Sequence, residues 1–381
     1  MFRTRNGSCI LLTGATGLLG RFLLRDLSAQ GLRVAVIVRD GATAGAEERV
    51  DGLIRDWREV AGVDVPRPVV LPGDIRTPGL GLAPADLDWV EANVDEVVHA
   101  AASLAFDQRE SDGEPYASNV GGTANVLELC RSTGIRRLHH VSTAYVCGRR
   151  RGRVFETELD VGQEPGNDYE RSKIEAERAV RAADWLDVRT VHRPSIIVGD
   201  LVHGFTTTFH GFYKPLRIMQ PFVESFLHAA PEAGRLLDVL GMNGRERKNL
   251  VPVDWVSAVM ARIILDPSLH GGTYHLASTR PTSVELLCRV FAQMVVEMGE
   301  RPRAAGSSTP SAALDAALLA RLFGDQMEVY RSYWRDDPEF DVTATTRAAP
   351  DLRAPVMGEA TLRRLCRFAI HAGFRWPAVS A

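Results

Sequence analysis

Hydrophobic and polar residues alternate along the first half of this chain in blocks that predict a repeated strand-then-helix order. The apolar blocks of strand length are Ile10–Leu12, Leu32–Val38, Pro68–Leu71, Val94–His99, Arg137–Ser142 and Val188–His192. The segments with helical periodicity between them are Arg21–Leu27, Ala44–Val60, Ala85–Asn93 and Asn119–Ser132. Because strands that alternate with helices form a parallel sheet covered on both faces, the pattern predicts a doubly wound α/β fold.

Three glycines follow the first apolar block at the spacing G-x-x-G-x-x-G: Gly14, Gly17 and Gly20. Gly14 permits a tight turn, Gly17 lets the backbone approach a pyrophosphate, and Gly20 lets the next helix pack close to the strand. The start of that helix offers free N–H groups and a partial positive charge to phosphates. In this context, between a strand and a helix, the glycines predict a dinucleotide site of the Rossmann type.

The second predicted strand ends in Val38-Arg39-Asp40. In a Rossmann fold the adenosine ribose lies at this strand end, where an arginine suits the 2′-phosphate of NADP and an acidic residue suits the free 2′-hydroxyl of NAD. Since a guanidinium binds phosphate through two hydrogen bonds, Arg39 predicts NADP(H). Arg21 is either a second phosphate contact or a solvated helix residue, and Asp74 is either an adenine contact or a turn former.

Tyr169 and Lys173 lie four residues apart in a predicted helix, so they share one helix face. A lysine ammonium beside the ring, together with a cationic nicotinamide, would lower the pKa of a tyrosine hydroxyl and make it a useful acid. The alternative is a solvated lysine below a packing tyrosine. The chain contains only three lysines, at 173, 214 and 248, so this spacing would rarely arise by chance.

Composition narrows the class of protein. The 381 residues carry a formal net charge of −3 with 45% hydrophobic and 24% charged residues, which is ordinary for a globular protein and gives no reason to expect nucleic acid or an anionic membrane as partner. Five cysteines without a C-x-x-C pair, and histidines without metal-like spacing, predict no disulfide framework and no metal site. No membrane-length apolar run or signal peptide is evident, so we expect a cytoplasmic protein.

Beyond Asp200 the regular alternation stops. Residues 205–227 are rich in aromatic side chains and predicted to be helical; they are either plain core or the wall of an apolar substrate cleft. We expect residues 1–200, joined by 249–275, to form the NADP(H)-binding domain. Residues 201–248 and 276–381 are expected to form a smaller, mostly helical C-terminal substrate-binding lobe.

These motifs together resemble the extended short-chain dehydrogenase/reductase family. The resemblance rests on Thr13-Gly14-x-x-Gly17-x-x-Gly20, Tyr169-x-x-x-Lys173 and Arg193-Pro194. Finer matches are similar to its thioester reductase branch, which includes fatty acyl-CoA reductases, carboxylic acid reductase terminal domains and synthase release domains. They are Val94–Ala102, Gly73-Asp74-Ile75 with Leu80-Gly81-Leu82, Ser142–Val146 and Leu250–Asp254. The resemblance is weakest from about Gly299 onward.

By this resemblance Thr143, Tyr169 and Lys173 form the catalytic triad. The expected cofactor contacts are Gly14, Thr16, Gly17, Leu18, Leu19, Arg21, Arg39, Asp74, Ile75, Ala100, Ala101, Ala102, Asn119, Val141, Ser142, Tyr169, Lys173, Pro194, Ser195 and Ile197. The candidate substrate contacts are Phe106, Phe205, Phe209, Phe212 and Tyr213.

We therefore expect a stand-alone, NADPH-dependent reductase of an acyl thioester or of a related aldehyde or ketone, in natural-product or lipid metabolism. Its substrate would be free, CoA-bound or tethered to a carrier protein, and a homodimer is left open. One alternative is a nucleotide-sugar epimerase or dehydratase with tightly bound NAD, against which Arg39 and the apolar 205–227 segment argue. The other is a non-catalytic nucleotide-sensing regulator, which an intact triad disfavours.

Overall fold

A computed structural model describes residues 9–108, 111–220, 223, 236–238, 241–299, 316–333 and 335–376. The chain divides into two compact units. The first comprises 1–195, 253–277 and 340–354, and the second comprises 196–252, 278–339 and 355–381. Each unit is described by itself below.

The described residues form strands and helices in the following order. The strands are β1 Cys9–Thr13, β2 Arg33–Val38, β3 Val69–Pro72, β4 Glu96–His99, β5 Arg137–Val141, β6 Arg153–Val154, β7 Val188–Pro194, β8 Ile196–Val198, β9 Arg247–Lys248, β10 Leu250–Pro252, β11 Thr273–Leu276, β12 Thr282–Ser283 and β13 Glu339–Phe340. The helices are α1 Leu18–Ala29, α2 Ala46–Ala61, α3 Pro84–Asn93, α4 Gly122–Ser132, α5 Asp168–Ala182, α6 Lys214–Met219, α7 Val253–Leu265, α8 Val284–Gly299, α9 Ala316–Met327, α10 Thr343–Ala348 and α11 Glu359–His371.

The first unit is built on a seven-stranded parallel sheet, which in the described part of the chain has the order β11-β7-β5-β4-β1-β2-β3. The order reverses direction between β1 and β4, and ligands of open α/β sheets bind beyond the carboxyl ends of the strands at such a point. Every residue of β1 is buried, because helices cover both faces of the sheet. The predicted doubly wound α/β fold is confirmed.

The second unit has its own hydrophobic core, to which α6, α8, α9 and α11 contribute apolar residues. Short strand pairs accompany it: β10 lies parallel to β8, and β12 lies antiparallel to β9. Lys248 is held in this unit by an ion pair to Asp337, 2.8 Å between Nζ and Oδ1.

The aromatic segment is less helical than predicted. Its described part forms a 3₁₀ turn, Gly211–Tyr213, and the short helix α6, while Phe205 and Phe209 lie on irregular backbone. Glycines with positive φ bound this irregular stretch, and the Thr206 hydroxyl accepts a hydrogen bond from the backbone N–H of Thr208, which competes with helix formation. Phe222 and Phe226 lie outside the described residues.

The unit boundaries differ from the expected domain boundaries. Residues 340–354, expected in the C-terminal lobe, belong to the first unit, where the Trp255 indole N–H donates to the carbonyl of Leu352 at 3.0 Å. Residues 196–200 and 249–252, expected in the first domain, belong to the second unit because β8 and β10 pair with each other.

Candidate active site

The glycine motif forms the turn between β1 and α1, as the sequence predicts. Gly14 has φ +78°, and a Cβ there would lie 2.6 Å from the backbone nitrogen of Ala101, at the end of β4. At Gly20 a Cβ would lie 2.0 Å from the Gly14 carbonyl oxygen. Gly17 caps α1 without a side-chain hydrogen bond, so the N–H groups of this first turn are available to an anion. Thr16, Leu18 and Leu19 lie in the same turn.

Two arginines lie together at the end of β2. Arg39 is exposed, and its carbonyl accepts a hydrogen bond from Nη1 of Arg49 at 2.5 Å. Nη2 of Arg49 is 3.3 Å from the Thr16 hydroxyl, which joins this pair to the glycine turn. Asp40 is engaged elsewhere, since its carboxylate accepts the first backbone N–H of α2, from Ala46, at 2.8 Å.

Burial, and then the charge of Arg39, lower the pKa of the Arg49 guanidinium. Arg49 was missed in the sequence because it lies among the polar residues of the first turn of α2, ten residues from Arg39. Arg21, by contrast, is buried and pairs with Asp56 at 3.3 Å. Arg49 thus lies beside Arg39 and the glycine turn, whereas Arg21 is engaged with Asp56; the phosphate contact expected of Arg21 stays a prediction.

The other predicted cofactor contacts near the glycine turn follow β3 and β4 in the chain. Asp74 is half-buried and forms an ion pair with Arg76, 2.8 Å between Oδ2 and Nη2; the hydrogen bond from Arg76 lowers the pKa of its carboxyl group. The carbonyl of Ile75 accepts a hydrogen bond from the Asn125 side chain at 2.7 Å. Residues 100–102 continue from β4, and the backbone of the first two abuts Gly14.

Thr143, Tyr169 and Lys173 come together at the carboxyl end of β5. Tyr169 and Thr143 are joined by a side-chain hydrogen bond. Thr143 also accepts the backbone N–H of Tyr145 at 3.2 Å, which orients its hydroxyl at the start of a 3₁₀ turn. Lys173, on the same face of α5 as Tyr169, donates from Nζ to the Val141 carbonyl at 2.7 Å.

The pKa values of the two titrating groups shift in opposite directions. Burial raises the pKa of Tyr169 to about 12, and the hydrogen bond with Thr143 opposes this shift. Burial lowers the pKa of Lys173 to about 8, against the favourable charge of Glu177. In the protein without cofactor the pKa of Tyr169 is thus raised and not lowered, because removal from water outweighs the hydrogen bond with Thr143. The lowering expected with nicotinamide bound stays a prediction.

A buried carboxylate, Glu177, lies one turn beyond Lys173 on α5 and was missed in the sequence. It accepts hydrogen bonds from the fully buried Arg193 at 2.7 and 3.0 Å, and from the hydroxyl of Ser142 at 2.7 Å. Burial opposes its ionisation, but the charge and hydrogen bonds of Arg193 still leave its pKa lowered. The sequence signal that could have identified Glu177 is its spacing: it follows Lys173 by four residues, as Lys173 follows Tyr169.

Asn119 links the loop after β4 to the catalytic helix. It lies in a π-helical turn, Ala117–Gly121, and its amide nitrogen donates to the hydroxyl of Ser172 at 2.9 Å and to the carbonyl of Ser103 at 3.1 Å. The same loop carries Phe106, whose ring lies edge-on to Tyr169 with centroids 6.1 Å apart. Phe106 therefore adjoins the triad, and its role toward substrate stays a prediction.

The other predicted site residues are distributed over both units. The carbonyl of Pro194 is 3.4 Å from the Thr143 hydroxyl, and Ser195 follows it at the end of the first unit. Ile197 lies on β8 in the second unit, opposite Val251. The remaining substrate candidates are buried in the second unit: Phe205, Phe209, Phe212 and Tyr213. Their role toward substrate stays a prediction.

Comparison with known proteins identifies the family. Residues 12–260 match the model of the family described as male sterility protein. The chain belongs to this family. It is an NAD(P)-dependent oxidoreductase of the extended short-chain dehydrogenase/reductase type, so the resemblance drawn from its motifs is confirmed.

The reductase is similar to parts of much longer proteins. It is 29% identical over 294 residues to glycine betaine reductase ATRR of Emericella nidulans, covering 72% of this chain and 21% of that protein. It is 27% identical over 278 residues to a carboxylic acid reductase of Segniliparus rugosus, covering 67% of this chain and 23% of that protein. The chain therefore spans about a fifth of the length of these relatives.

Among solved structures, the reductase resembles the terminal R domain from the myxalamid PKS-NRPS biosynthetic pathway. The TM-score is 0.73 at 25% identity, with 97% of this chain and 92% of that chain covered. Within the described residues, no helix combines the length and apolar character needed to cross a membrane.

Proposed function

We propose that this reductase uses NADPH to reduce an acyl thioester, bound to CoA or to a carrier protein, or a related aldehyde or ketone. The observation that carries the proposal is the pair of hydrogen-bonded hydroxyls, Thr143 and Tyr169, beside the buried ammonium of Lys173. Two hydroxyls that meet at one point can hold a carbonyl oxygen while charge develops on it.

The residues around the glycine turn fit NADPH. The uncapped first turn of α1 would bind the pyrophosphate, and Arg39 and Arg49 would bind the 2′-phosphate. Asp40, the acidic alternative that would favour NAD, already caps α2. The mutual repulsion of two adjacent guanidiniums is relieved by an anion between them.

Each catalytic side chain has a separate task. NADPH, when bound, supplies the hydride for the carbonyl carbon. Tyr169 gives its proton to the carbonyl oxygen, and Thr143 fixes that oxygen through its hydroxyl. Lys173 uses one of its three donors on Val141, which leaves two for the nicotinamide ribose and the phenolate of Tyr169. Its positive charge stabilises that phenolate once the proton has left.

The comparisons with known proteins support a thioester as substrate. The family relatives include a carboxylic acid reductase and an R domain that ends a PKS-NRPS pathway. Reduction of a thioester releases a thiol and yields an aldehyde, which the same residues could reduce again to an alcohol. The triad itself requires only a carbonyl, so an aldehyde or ketone is the second candidate.

The test is a substrate panel at fixed NADPH. The purified protein is incubated with acyl-CoA, acyl-carrier and free aldehydes of matched chain length, and NADPH absorbance and product mass are followed. We expect thioester-dependent NADPH oxidation with aldehyde or alcohol as product. Oxidation with free aldehydes alone would remove the thioester assignment and leave a carbonyl reductase.

A further inference from the structure

A buried group of ionisable side chains in the first unit has no part in the proposed mechanism. It consists of Glu96, the first residue of β4; His139, in the middle of β5; and His270, in the turn that connects α7 to β11. One ligand atom from each residue lies within 4.8 Å of the other two. No more than 7% of any of these side chains is exposed to solvent. Three potential metal ligands therefore converge inside the protein.

The carboxylate of Glu96 is buried, and its charge partners are imidazoles. Its Oε1 is 2.5 Å from Nε2 of His139 and 3.9 Å from Nδ1 of His270. Among the described residues, no lysine or arginine lies within ion-pair distance of Glu96. Because a buried charge is costly unless it is paired, this carboxylate favours a positive charge beside it.

The hydrogen bonding of His270 leaves one ring nitrogen for a cation. Its Nε2 is 3.0 Å from the carbonyl oxygen of Ile264, which can only accept, so Nε2 carries a hydrogen. In the neutral ring, Nδ1 then has a lone pair and lies 3.9 Å from Oε1 of Glu96, beyond hydrogen-bond distance. Two electron-rich atoms this close inside a protein are stabilised by a cation between them.

A second histidine orients His139. Nδ1 of His139 is 3.0 Å from Nε2 of His192 on β7, and the two rings stack with centroids 5.3 Å apart. Histidines that bind metals usually make such a hydrogen bond through the nitrogen that does not touch the metal, which fixes the ring. His192 therefore holds His139 with its Nε2 beside Glu96.

The distances allow one ion to reach the ligand atoms. Zinc–nitrogen bonds are about 2.0–2.1 Å and zinc–oxygen bonds about 2.0–2.2 Å, so one ion can touch two atoms up to about 4.1 Å apart. The 3.9 Å between His270 and Glu96 is within this limit. His139 and Glu96, at 2.5 Å, are closer than the roughly 3.3 Å between ligands of a tetrahedral zinc, so the Glu96 side chain must rotate on binding.

The ligand set indicates the class of metal. Two imidazole nitrogens and one carboxylate oxygen suit zinc and the related ions of cobalt, nickel and copper, whereas calcium and magnesium prefer oxygen ligands. Residues 265–268, just before His270 in the chain, are exposed, so the site lies close to solvent.

We propose that Glu96, His139 and His270 bind one divalent cation of the zinc class, with water as the fourth ligand. The ion would connect β4 and β5 to the turn before β11 and so stabilise the first unit. The ligands come from three separate elements, which is why the spacing of histidines in the sequence predicts no metal site. The inference is independent of the proposed thioester reduction.

The test measures metal binding by the full chain after removal of any affinity tag and treatment with a chelator. Zn²⁺ is titrated by calorimetry and Co²⁺ by visible absorption. The variants are His270→Gln and Glu96→Gln; the second keeps an oxygen that can accept the hydrogen bond of His139. The matched control is His203→Gln, which changes an exposed histidine of the second unit. Thermal melts verify that each variant is folded.

We expect one Zn²⁺ per wild-type chain and a cobalt spectrum typical of nitrogen and oxygen ligands. His270→Gln and Glu96→Gln should each lose more affinity than the about 10–100-fold that follows loss of a residue that only supports a ligand. At a hundredfold excess of Zn²⁺ over Kd, the melting temperature of the wild type and of His203→Gln should rise by about 3–5 °C. The two ligand variants should show no rise.

Three results would overturn the site. If the wild type binds no Zn²⁺, a proton on His270 supplies the positive charge beside Glu96. If the wild type and both ligand variants bind equally, the ion is adventitious and lies elsewhere. If Co²⁺ produces the intense absorption of a thiolate ligand, cysteines bind the ion. The wild-type measurements decide the first and third cases even where a variant fails to fold, and none of the measurements requires enzyme activity.

Discussion

Lys173 and Arg193 lie inside the first unit, whereas Arg39 and Arg49 lie near its surface at the end of β2. The interior pair is 2% and 0% exposed, and Glu177 stands between them as a shared counter-charge. At the surface, Arg49 donates to a carbonyl and a hydroxyl, and its pKa is lowered partly by the neighbouring Arg39. The buried cations share a carboxylate of the protein, whereas the surface cations lie where we propose that the cofactor phosphate binds.

The difference teaches where each kind of substitution will act. Charges removed from water are stable only as a complete set, so loss of one member is costly to the fold. Cations at the surface contribute little to the free energy of unfolding, and their substitution should appear in ligand binding. The predictions below test this division, from the largest expected effect to the smallest.

Tyr169→Phe should lower kcat by about 10²–10⁴-fold, the usual contribution of a positioned acid, and leave NADPH affinity close to that of the wild type. Stopped-flow kinetics and fluorescence titration of NADPH measure the two quantities separately. A Tyr169→Phe protein with the wild-type rate would remove Tyr169 from the mechanism.

Glu177→Ala should lower the free energy of unfolding by about 3–5 kcal/mol, because it leaves Arg193 buried without its carboxylate. Urea unfolding gives this value. Arg178→Ala on the same helix, which breaks an exposed pair with Asp160, is the control and should cost under about 1 kcal/mol. Similar losses for both variants would contradict the division between buried and surface charges.

Arg49→Ala and Arg39→Ala should each weaken NADPH binding by about 1.5–3 kcal/mol, the value of a hydrogen bond to a charged group, and affect NADH much less. Calorimetry with both cofactors measures the difference, and a thermal melt should change little. The NADP assignment does not survive if NADH weakens equally or if the wild-type protein prefers NADH.

The pH dependence should be the smallest effect. Since burial lowers the pKa of Lys173 to about 8, the ammonium is lost as pH rises through about 8, and kcat/KM should fall above that value. In the unfolded chain the pKa of this lysine is about 10.4, so between about pH 8 and pH 10.4 the unfolded chain binds more protons than the folded protein. In that range this group makes the free energy of unfolding rise with pH. A pH–rate profile checks the fall, and Lys173→Met should lack the break near pH 8.

The sequence predicted the sheet, the glycine turn and the catalytic helix because each has a local signature. Buried strands produce apolar blocks, and Tyr169 and Lys173 share a helix face. Gly14 has a positive φ, and the backbone of Ala101 leaves no room for a side chain there. Such features depend on residues within a few positions of each other. The same signals located the strand ends from which the candidate site residues come.

Features that depend on distant packing were not predictable in this way. Glu177 resembles a surface carboxylate in a polar helix until β7 brings Arg193 against it. Arg49 becomes a candidate phosphate contact only because α2 packs so that its guanidinium reaches the hydroxyl of Thr16. The irregular backbone at Phe205 and Phe209 follows from threonine hydrogen bonds and positive-φ glycines, whose effects outweigh the apolar pattern.

The short segment from Val141 to Thr143 has a consequence for protein engineering. Its first carbonyl accepts a hydrogen bond from the ammonium of Lys173, and its last hydroxyl is hydrogen-bonded to Tyr169, so this segment and α5 together position the three candidate catalytic groups. The two elements could therefore be transplanted together into another protein, provided that Arg193, the ion-pair partner of Glu177, is transplanted too. A library for new substrates would keep these elements constant and vary the predicted substrate contacts of the second unit, Phe205, Phe209, Phe212 and Tyr213.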